Sequence, residues 1–293
     1  MSKQLFTATW LALAVVATAP VAFSQDPAAA TTATMASKTA DEIRECSRDN
    51  LPDKTMVQDV NLQSTDRLGK TKDIRAVFYI KRFDKDETRT TLQVRAPVNV
   101  SGVSYLWVDS DDSDRLYLYL PSLQRVRRVS GKAVSESMLG TDFSHEDVKH
   151  LRSVSAGGEI TKLGDSETAG RPTHKLKVIP AASEESAYDH LLFHIDQQTC
   201  VPLEIEFFEV GDTPRKRLTA DPESLKQLGE RWITTRITMR DLKQNTHTLM
   251  ETIDVEYDES INDAVFNFRG FYLGAYLEKS QKTDDIIGFL NVR

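Results

Sequence analysis

The apolar positions of this chain recur mainly with a period of two. In residues 74–82, Ala76, Phe78 and Ile80 share one face while Arg75 and Lys81 take the other. Leu92 and Val94 alternate with Gln93 and Arg95, and Leu116, Leu118 and Leu120 lie opposite Tyr117 and Tyr119. Val201, Leu203, Ile205 and Phe207 alternate with Glu204 and Glu206; Ile233, Thr235, Ile237 and Met239 alternate with Arg236, Thr238 and Arg240; Leu249, Ile253, Val255 and Tyr257 repeat the pattern. Successive strand side chains point to opposite faces, so each segment reads as a strand with one apolar and one polar side. Polar turns at 84–86, 109–114, 164–165 and 211–212 separate them, and the count comes to about ten strands. One-sided strands in series, with few helices, predict an α+β, mainly antiparallel fold built on a strongly curved sheet or barrel.

Three segments break the period. Thr39-Ala40-Asp41-Glu42 fits a capping box, in which hydroxyl and carboxylate satisfy each other's orphan amides. It predicts a helix with Ile43 and Cys46 on one face, ended by Pro52. Residues 132–154 carry Ser135, Ser137, Met138, Leu139, Gly140 and Phe143 and then a helix-like turn that Ser144 could cap, with Glu146 and Asp147 at its positive end. Residues 181–188 form a polar, acidic loop. Neither of the last two predicts a second domain, and there is no internal repeat.

The N-terminus has a different character. Lys3 precedes an apolar run from Leu5 to Val21, and Ala22-Phe23-Ser24 places small residues two apart. That is the layout of a cleavable secretory signal peptide, residues 1–24. The run is short for a membrane span, and Pro20 interrupts it near its end. Residues 25–38, rich in Ala and Thr, read as a flexible linker, and 39–293 as a single domain. The expected location is the periplasm.

Composition bounds the partners. The chain has 293 residues, 40% hydrophobic and 28% charged, with a net charge of -7. Loss of the leader removes Lys3 and no acid, which leaves -8. This balance argues against a nucleic-acid partner. The only two cysteines are Cys46 and Cys200, too few for a disulfide-dense scaffold or a four-cysteine zinc site. In an oxidising compartment they are expected to form a disulfide, closing a loop worth roughly 4–5 kcal/mol in the entropic model; the alternative is two buried thiols.

Candidate chemistry is thin. His145-Glu146 with His150 misses the zinc-protease spacing by one position, and on a helix the two rings would point about 140° apart. His190 and His194 flank Leu191, Leu192 and Phe193, which read as a strand, and there the rings lie about 13 Å apart, too far for one ion. Asp109, Asp111, Asp112 and Asp114 lack the glycine and distal glutamate of a calcium loop. There is no nucleophile elbow, phosphate loop or dinucleotide fingerprint. No catalytic residue, cofactor or metal site is therefore expected. The basic run Arg125, Arg127, Arg128 and Lys132 is either a solvated strand edge or a docking patch for an acidic partner or lipid headgroup. Arg215, Lys216 and Arg217 form a second basic patch beside Pro214, most simply a loop.

One ordered series is more specific: Val103-Ser104-Tyr105-Leu106, Leu118-Tyr119-Leu120-Pro121-Ser122-Leu123, Arg125-Val126-Arg127-Arg128-Val129-Ser130 and Gly140-Thr141-Asp142-Phe143-Ser144-His145-Glu146-Asp147. It resembles the outer-membrane lipoprotein-sorting-like family, a branch of the LolA/LolB superfamily, with His145 where that family usually has Tyr. Ile195-Asp196, residues 203–208 and residues 239–242 also look like the family, and the resemblance spans roughly residues 40–275.

The resemblance implies an unclosed barrel with helices and a loop covering its concave face. It implies a carrier of lipid or lipoprotein acyl chains without enzymatic activity. Members of that branch are often associated with RND-type membrane transporters, which implies, as an alternative, a non-catalytic accessory protein docking on such a transporter. The in-facing sets then offer Phe78, Ile80, Leu92, Val94, Leu116 and Leu118 as lining, with Met138, Leu139 and Phe143 as a movable cover. The same residues could equally fill a solid core. Arg125, Arg127 and Arg128 are the docking candidates.

Overall fold

A computed structural model describes residues 38–273, apart from 53, 85–86, 111–113, 152–153, 155–157, 183–185 and 260. The expected leader, nearly all of the linker, and Asp111 and Asp112 lie outside the described residues.

The capping box forms as expected. Thr39 N donates to Glu42 Oε2 at 2.7 Å and Glu42 N donates to Thr39 Oγ1 at 3.3 Å. They open helix α1, Ala40–Arg48, with Asp49 as C-cap. The helix ends four residues before Pro52, because Leu51 N turns back to the Arg48 carbonyl.

Fifteen strands follow: β1 Thr55–Thr65, β2 Thr71–Arg82, β3 Glu87–Ala96, β4 Ser104–Ser110, β5 Arg115–Leu120, β6 Arg125–Val129, β7 Glu159–Thr168, β8 Arg171–Ile179, β9 His190–Asp196, β10 Pro202–Phe208, β11 Lys216–Ala220, β12 Leu225–Leu228, β13 Arg231–Thr234, β14 Arg236–Asp241 and β15 Thr246–Glu259. The alternation count was low for two reasons. β7 carries no buried side chain, so its period is invisible in hydropathy. The single strand expected over 233–239 is two, since the chain leaves the β12–β13 hairpin at Thr235 and enters the main sheet as β14.

The main sheet has thirteen strands in the order β6-β5-β4-β3-β2-β1-β15-β14-β11-β10-β9-β8-β7, each neighbouring pair antiparallel. It is curved and unclosed: β6 and β7 are its two edges. They are also consecutive in sequence, so the connection between them has to cross a whole face of the sheet. Among the described residues there is one α-helix. The expected covering helices are thus corrected to one helix plus this long connection, since among its described residues the helical turns between β6 and Leu151 are 3-10, Gly131–Ser135 and Asp147–His150. No helix among the described residues is long and apolar enough to cross a membrane.

The face under the connection, called inner here, holds one continuous apolar layer from Leu116 on β5 through Phe78, Met56 and Met239 to Phe193 and Leu176 on β8. The opposite, outer face departs from the one-sided expectation. On the second half of the sheet it is polar, with Lys175, His194, Glu204, Glu206 and Arg217. On the first half it is apolar and covered by residues 261–273. Tyr79 packs with Val265 and Phe266, and Leu106 and Val108 pack with Phe271, Tyr117 and Tyr119. The tail is threaded along β3: Thr91 Oγ1 donates to Val265 O at 2.7 Å and Gln93 Nε2 to Phe271 O at 2.6 Å.

Cys46 and Cys200 form the disulfide, with Cα atoms 5.8 Å apart. It fastens α1 to the β9–β10 turn. That turn is held by Asp196, which accepts from Arg171 Nε and Nη2 at 2.7 and 2.9 Å and from Thr199 Oγ1 at 2.7 Å. Burial alone would raise the Asp196 carboxyl, but these donors more than offset it and hold it below the usual range.

Candidate functional site

The connection from β6 to β7 is a strap across the inner apolar layer, and the family-like string lies within it. Every residue from Thr141 to Val148 is buried, although six of these eight are polar. Burial of that many polar groups is tolerated only where each finds partners, and here the partners come from strands spread across the sheet.

The strap begins with a tight loop. Met138 N donates to Phe143 O at 2.8 Å, and Thr141 N to Met138 O at 3.0 Å. Leu139 and Gly140 sit at φ 56° and 73°, the left-handed region that glycine enters freely and leucine does not. The loop tip is pinned from below: Lys72 Nζ on β2 donates to Leu139 O at 3.0 Å, and Ser64 Oγ on β1 to Gly140 O at 3.4 Å. Met138 and Phe143 thereby point into the layer and are buried, while Leu139 stays half-buried at the tip.

Beyond the loop the polar residues tie down in turn. Asp142 accepts from Thr248 Oγ1 at 2.6 Å and from Thr246 Oγ1 on β15. His145 O accepts from Trp107 Nε1 on β4 at 2.8 Å, and its ring lies 5.3 Å from that of Tyr105, whose hydroxyl burial pushes up to about 12. Glu146 accepts from Ser186 Oγ and from Ala187 N at 3.2 Å; burial raises its carboxyl, and these bonds only partly oppose that. Asp147, fully buried, accepts from Lys216 Nζ on β11 at 2.8 Å, from Tyr188 Oη at 2.7 Å and from Ser144 N at 2.7 Å. Ser144 Oγ accepts from Asp147 N at 3.3 Å, but the N-cap of the 3-10 turn Asp147–His150 is Glu146, without a side-chain bond, and not Ser144 as expected. Burial, with the Asp147 charge adding to it, drives the Tyr188 hydroxyl well up.

Two histidine rings are the exceptions. His145 Nδ1 is buried without a hydrogen-bond partner. The His150 ring is buried between Phe193 and Phe207, at 5.9 and 6.1 Å, and neither of its nitrogens has a hydrogen-bond partner. Burial pushes its pKa well down, so the imidazole is neutral.

The structure brings together the nine lining and cover candidates. Phe78, Ile80, Leu92, Val94, Leu116, Met138 and Phe143 are buried members of the inner layer, and Leu118 and Leu139 pack against it. As placed, they fill a core beneath a closed strap. A cleft of about 20 Å³ lies beside Leu151 of the strap, lined by the polar Asn50, Gln58 and Thr234 as well as by Val201, Trp232 and Met250, which is room for about one water. Arg125, Arg127 and Arg128 are exposed on edge strand β6, but not as one patch. Arg125 and Arg127 pair with Leu120 and Leu118, whereas Arg128 pairs with Tyr117 and so faces the other side. The second basic patch is split likewise. Arg215 pairs with Asp241, Lys216 turns inward to Asp147, and Arg217 pairs with Glu206 on the outer face.

Sequence reasoning missed the Asp147–Lys216–Tyr188 cluster and His150. An alternation that places Lys216 on the same face as Leu218 was the available signal for the first. His190 and His194 do lie on a strand, both on its outer face, yet His194 meets Glu204 and Glu206 of the neighbouring strand, a grouping that no spacing within one strand reveals.

Comparison with known proteins bears on the fold. A family described as "Uncharacterized protein" matches residues 86–271. No curated protein matches the sequence. An outer membrane lipoprotein-sorting protein domain from Vibrio parahaemolyticus superposes with a TM-score of 0.71 at 21% identity, over 79% of this chain and 97% of that one. A DUF1329 family protein from Desulfovibrio piger gives 0.70 at 20% identity, over 83% and 98%, and a LolA superfamily protein from Nitrosomonas europaea gives 0.62 at 17%, over 79% and 98%. These likenesses establish a LolA-like fold.

Proposed function

We propose that this chain, which belongs to the family of uncharacterized proteins matched over residues 86–271 and has the LolA-like fold, is a non-catalytic periplasmic carrier of a lipid or lipoprotein acyl chain. The acyl chain lies on the inner apolar layer, against Phe78, Ile80, Leu92, Val94, Leu116 and Leu118. Met138, Leu139 and Phe143 form the cover that moves to admit it.

The observation that carries this reading is the contrast between the two sides of the strap contact. Below it lies a continuous apolar layer. The strap itself is held there largely by polar ties: Asp142 to Thr248, Glu146 to Ser186, Asp147 to Lys216. When the strap lifts, those polar groups regain water, which repays much of their lost bonding. The apolar layer regains nothing from water, and exposing it costs about 25 cal/mol per Å². An acyl chain that takes the place of Met138 and Phe143 removes that cost and hides its own methylenes, each worth about 0.8 kcal/mol. The cleft at Leu151 and Trp232 is the seam at which entry begins. The leader expected from the sequence and the Cys46–Cys200 disulfide agree with an oxidising compartment, and the Vibrio parahaemolyticus neighbour is described as an outer membrane lipoprotein-sorting protein domain.

The test is extraction of the natively purified, detergent-free chain with organic solvent. Bound lipid seen by mass spectrometry, with saturable uptake of a fluorescent fatty acid, is the expected result. An empty extract together with no uptake overturns the reading. A second reading, an accessory protein docking on an RND-type transporter, draws support from the exposed arginines of β6. Charge reversal at Arg125 and Arg127 is then expected to abolish co-purification of a membrane transporter, and unchanged co-purification overturns it.

A further inference from the structure

The outer face of the second half of the sheet, away from the strap, carries a group that the carrier reading does not use. His194 on β9 stands directly opposite Glu204 on β10, and Glu206, two residues on, projects from the same face as its diagonal neighbour. Leu191, Phe193 and Ile195 take the inner side of β9, and Leu203, Ile205 and Phe207 the inner side of β10. The strand period therefore forces all three polar side chains outward and together.

We propose that His194, Glu204 and Glu206 form a site for a divalent transition-metal ion of the Zn²⁺ type. His194 is only 8% exposed, and its two ring nitrogens have opposite surroundings. Nδ1 lies 3.1 Å from Thr168 Oγ1 and 3.3 Å from Ser166 Oγ. These hydroxyls are themselves linked through Thr173, and they can accept the ring proton. Nε2 is buried without a hydrogen-bond partner, at 4.0 Å from Glu204 Oε1 and 4.0 Å from Glu206 Oε2. A lone pair facing two carboxylates demands a cation. A proton on Nε2 would serve poorly, because 4.0 Å is beyond an N–H···O bond. A tetrahedral zinc ion, bonded at about 2.0–2.1 Å to nitrogen and about 2.0–2.2 Å to oxygen, holds the two atoms about 3.4 Å apart, so each carboxylate oxygen has only about 0.6 Å to close.

The surroundings fit a ligand role. Arg217 Nη2 donates to Glu206 Oε1 at 2.6 Å, which leaves Oε2 turned toward His194. Outer partners of this kind fix the orientation of metal ligands. Arg217 also places its Nε 4.0 Å from Glu204 Oε1, and Lys175 bears on both Glu204 and His194; these two cations weaken the site without filling it. The carboxylate side chains remain 22% and 14% exposed, so further positions on the ion are open to solvent. An imidazole with two carboxylates selects Zn²⁺ or its transition-metal neighbours over Mg²⁺ and Ca²⁺, which favour all-oxygen sets.

The test is a calorimetric titration of tag-free, chelator-treated protein with ZnCl₂ near neutral pH, repeated with MgCl₂ and CaCl₂. One Zn²⁺ per chain is expected, with affinity reduced at least about tenfold in both His194→Ala and Glu204→Gln, in line with the loss of a metal ligand or its support. His190→Ala, on the same face but outside the group, is expected to bind as the wild type does. Substitution by Co²⁺ should give a visible d–d spectrum that disappears in His194→Ala. The proposal is overturned by no uptake of Zn²⁺, by uptake unchanged in both variants, or by tighter binding of Mg²⁺ or Ca²⁺. Lipid uptake is independent of every one of these outcomes.

Discussion

Lys216 Nζ lies 2.8 Å from Asp147 Oδ2, a buried ion pair that joins the strap to strand β11. The two residues are far apart in sequence, and their meeting fastens a connection that started at the opposite edge of the sheet. Removal of one partner strands the other charge. Lys216→Met is expected to cost about 3–5 kcal/mol in urea unfolding, and a double-mutant cycle with Asp147→Asn to give a coupling of about 1–3 kcal/mol. A loss below about 1 kcal/mol would show that the pair does not hold the strap.

His150 predicts the acid response. Burial depresses the folded-state pKa of His150 and, to a smaller degree, of His145, while in the unfolded chain each titrates near about 6.5. The unfolded state therefore binds more protons below that pH. The stability these residues contribute is present above about 6.5 and is lost as pH falls, by up to about 1.4 kcal/mol per pH unit for each histidine. Glu146 acts in the opposite sense: its raised carboxyl favours the protonated form, and so it gains as pH falls. His150→Phe keeps the ring between Phe193 and Phe207 and removes two unpartnered nitrogens. It is expected to stabilise the protein by about 1–3 kcal/mol and to flatten its stability between about pH 6.5 and 5. Thermal melts across that range check both, and an unchanged slope contradicts the assignment.

The tail on the outer face is expected to be integral to the fold. Phe271 is fully buried against Leu106 and Val108, and Phe271→Ala should cost about 3–5 kcal/mol. Phe268, half exposed and in edge contact with Tyr117 at 4.9 Å, should cost only about 1 kcal/mol on the same change. Equal losses at the two positions would contradict the burial assigned to the tail.

The disulfide joins cysteines 154 positions apart in sequence. Replacement of Cys46 and Cys200 together by Ser is expected to lower stability by about 4–5 kcal/mol in the entropic model, read as a shift of the urea midpoint. Non-reducing mass spectrometry of the wild type should show the two cysteine peptides linked.

Much of the sheet was legible because a strand buried on one side writes its period in the sequence: Phe78 and Ile80 against Arg75 and Lys81 is an example. The capping box and the cysteine pair were legible because their chemistry is local or leaves a single partner. The family-like string was legible as a string, but its physical role was not. Glu146 and Asp147 read only as acids at the start of a turn and Asp142 only as part of the string, whereas all three are buried with partners distant in sequence, Thr248, Ser186 and Lys216. The outer-face tail was missed for a related reason. Tyr79, Tyr117 and Tyr119 sit at positions that alternation assigns to solvent, and residues 261–273 carry no period that marks them as a cover. His194 likewise acquires its carboxylates only through the β9–β10 register.

Trp107 reports on the central claim directly. It lies on the inner layer with its Nε1 bonded to the strap at His145 O, and beyond the expected leader the only other tryptophan is Trp232. In a Trp232→Phe variant, titration with a fatty acid brominated along its chain should quench Trp107 fluorescence saturably, because bromine quenches only on close approach. That result would place an acyl chain beneath the strap. Fluorescence that stays constant up to the solubility limit of the brominated acid, in protein shown to be folded and free of bound lipid, would contradict the account and leave the inner layer as a filled core.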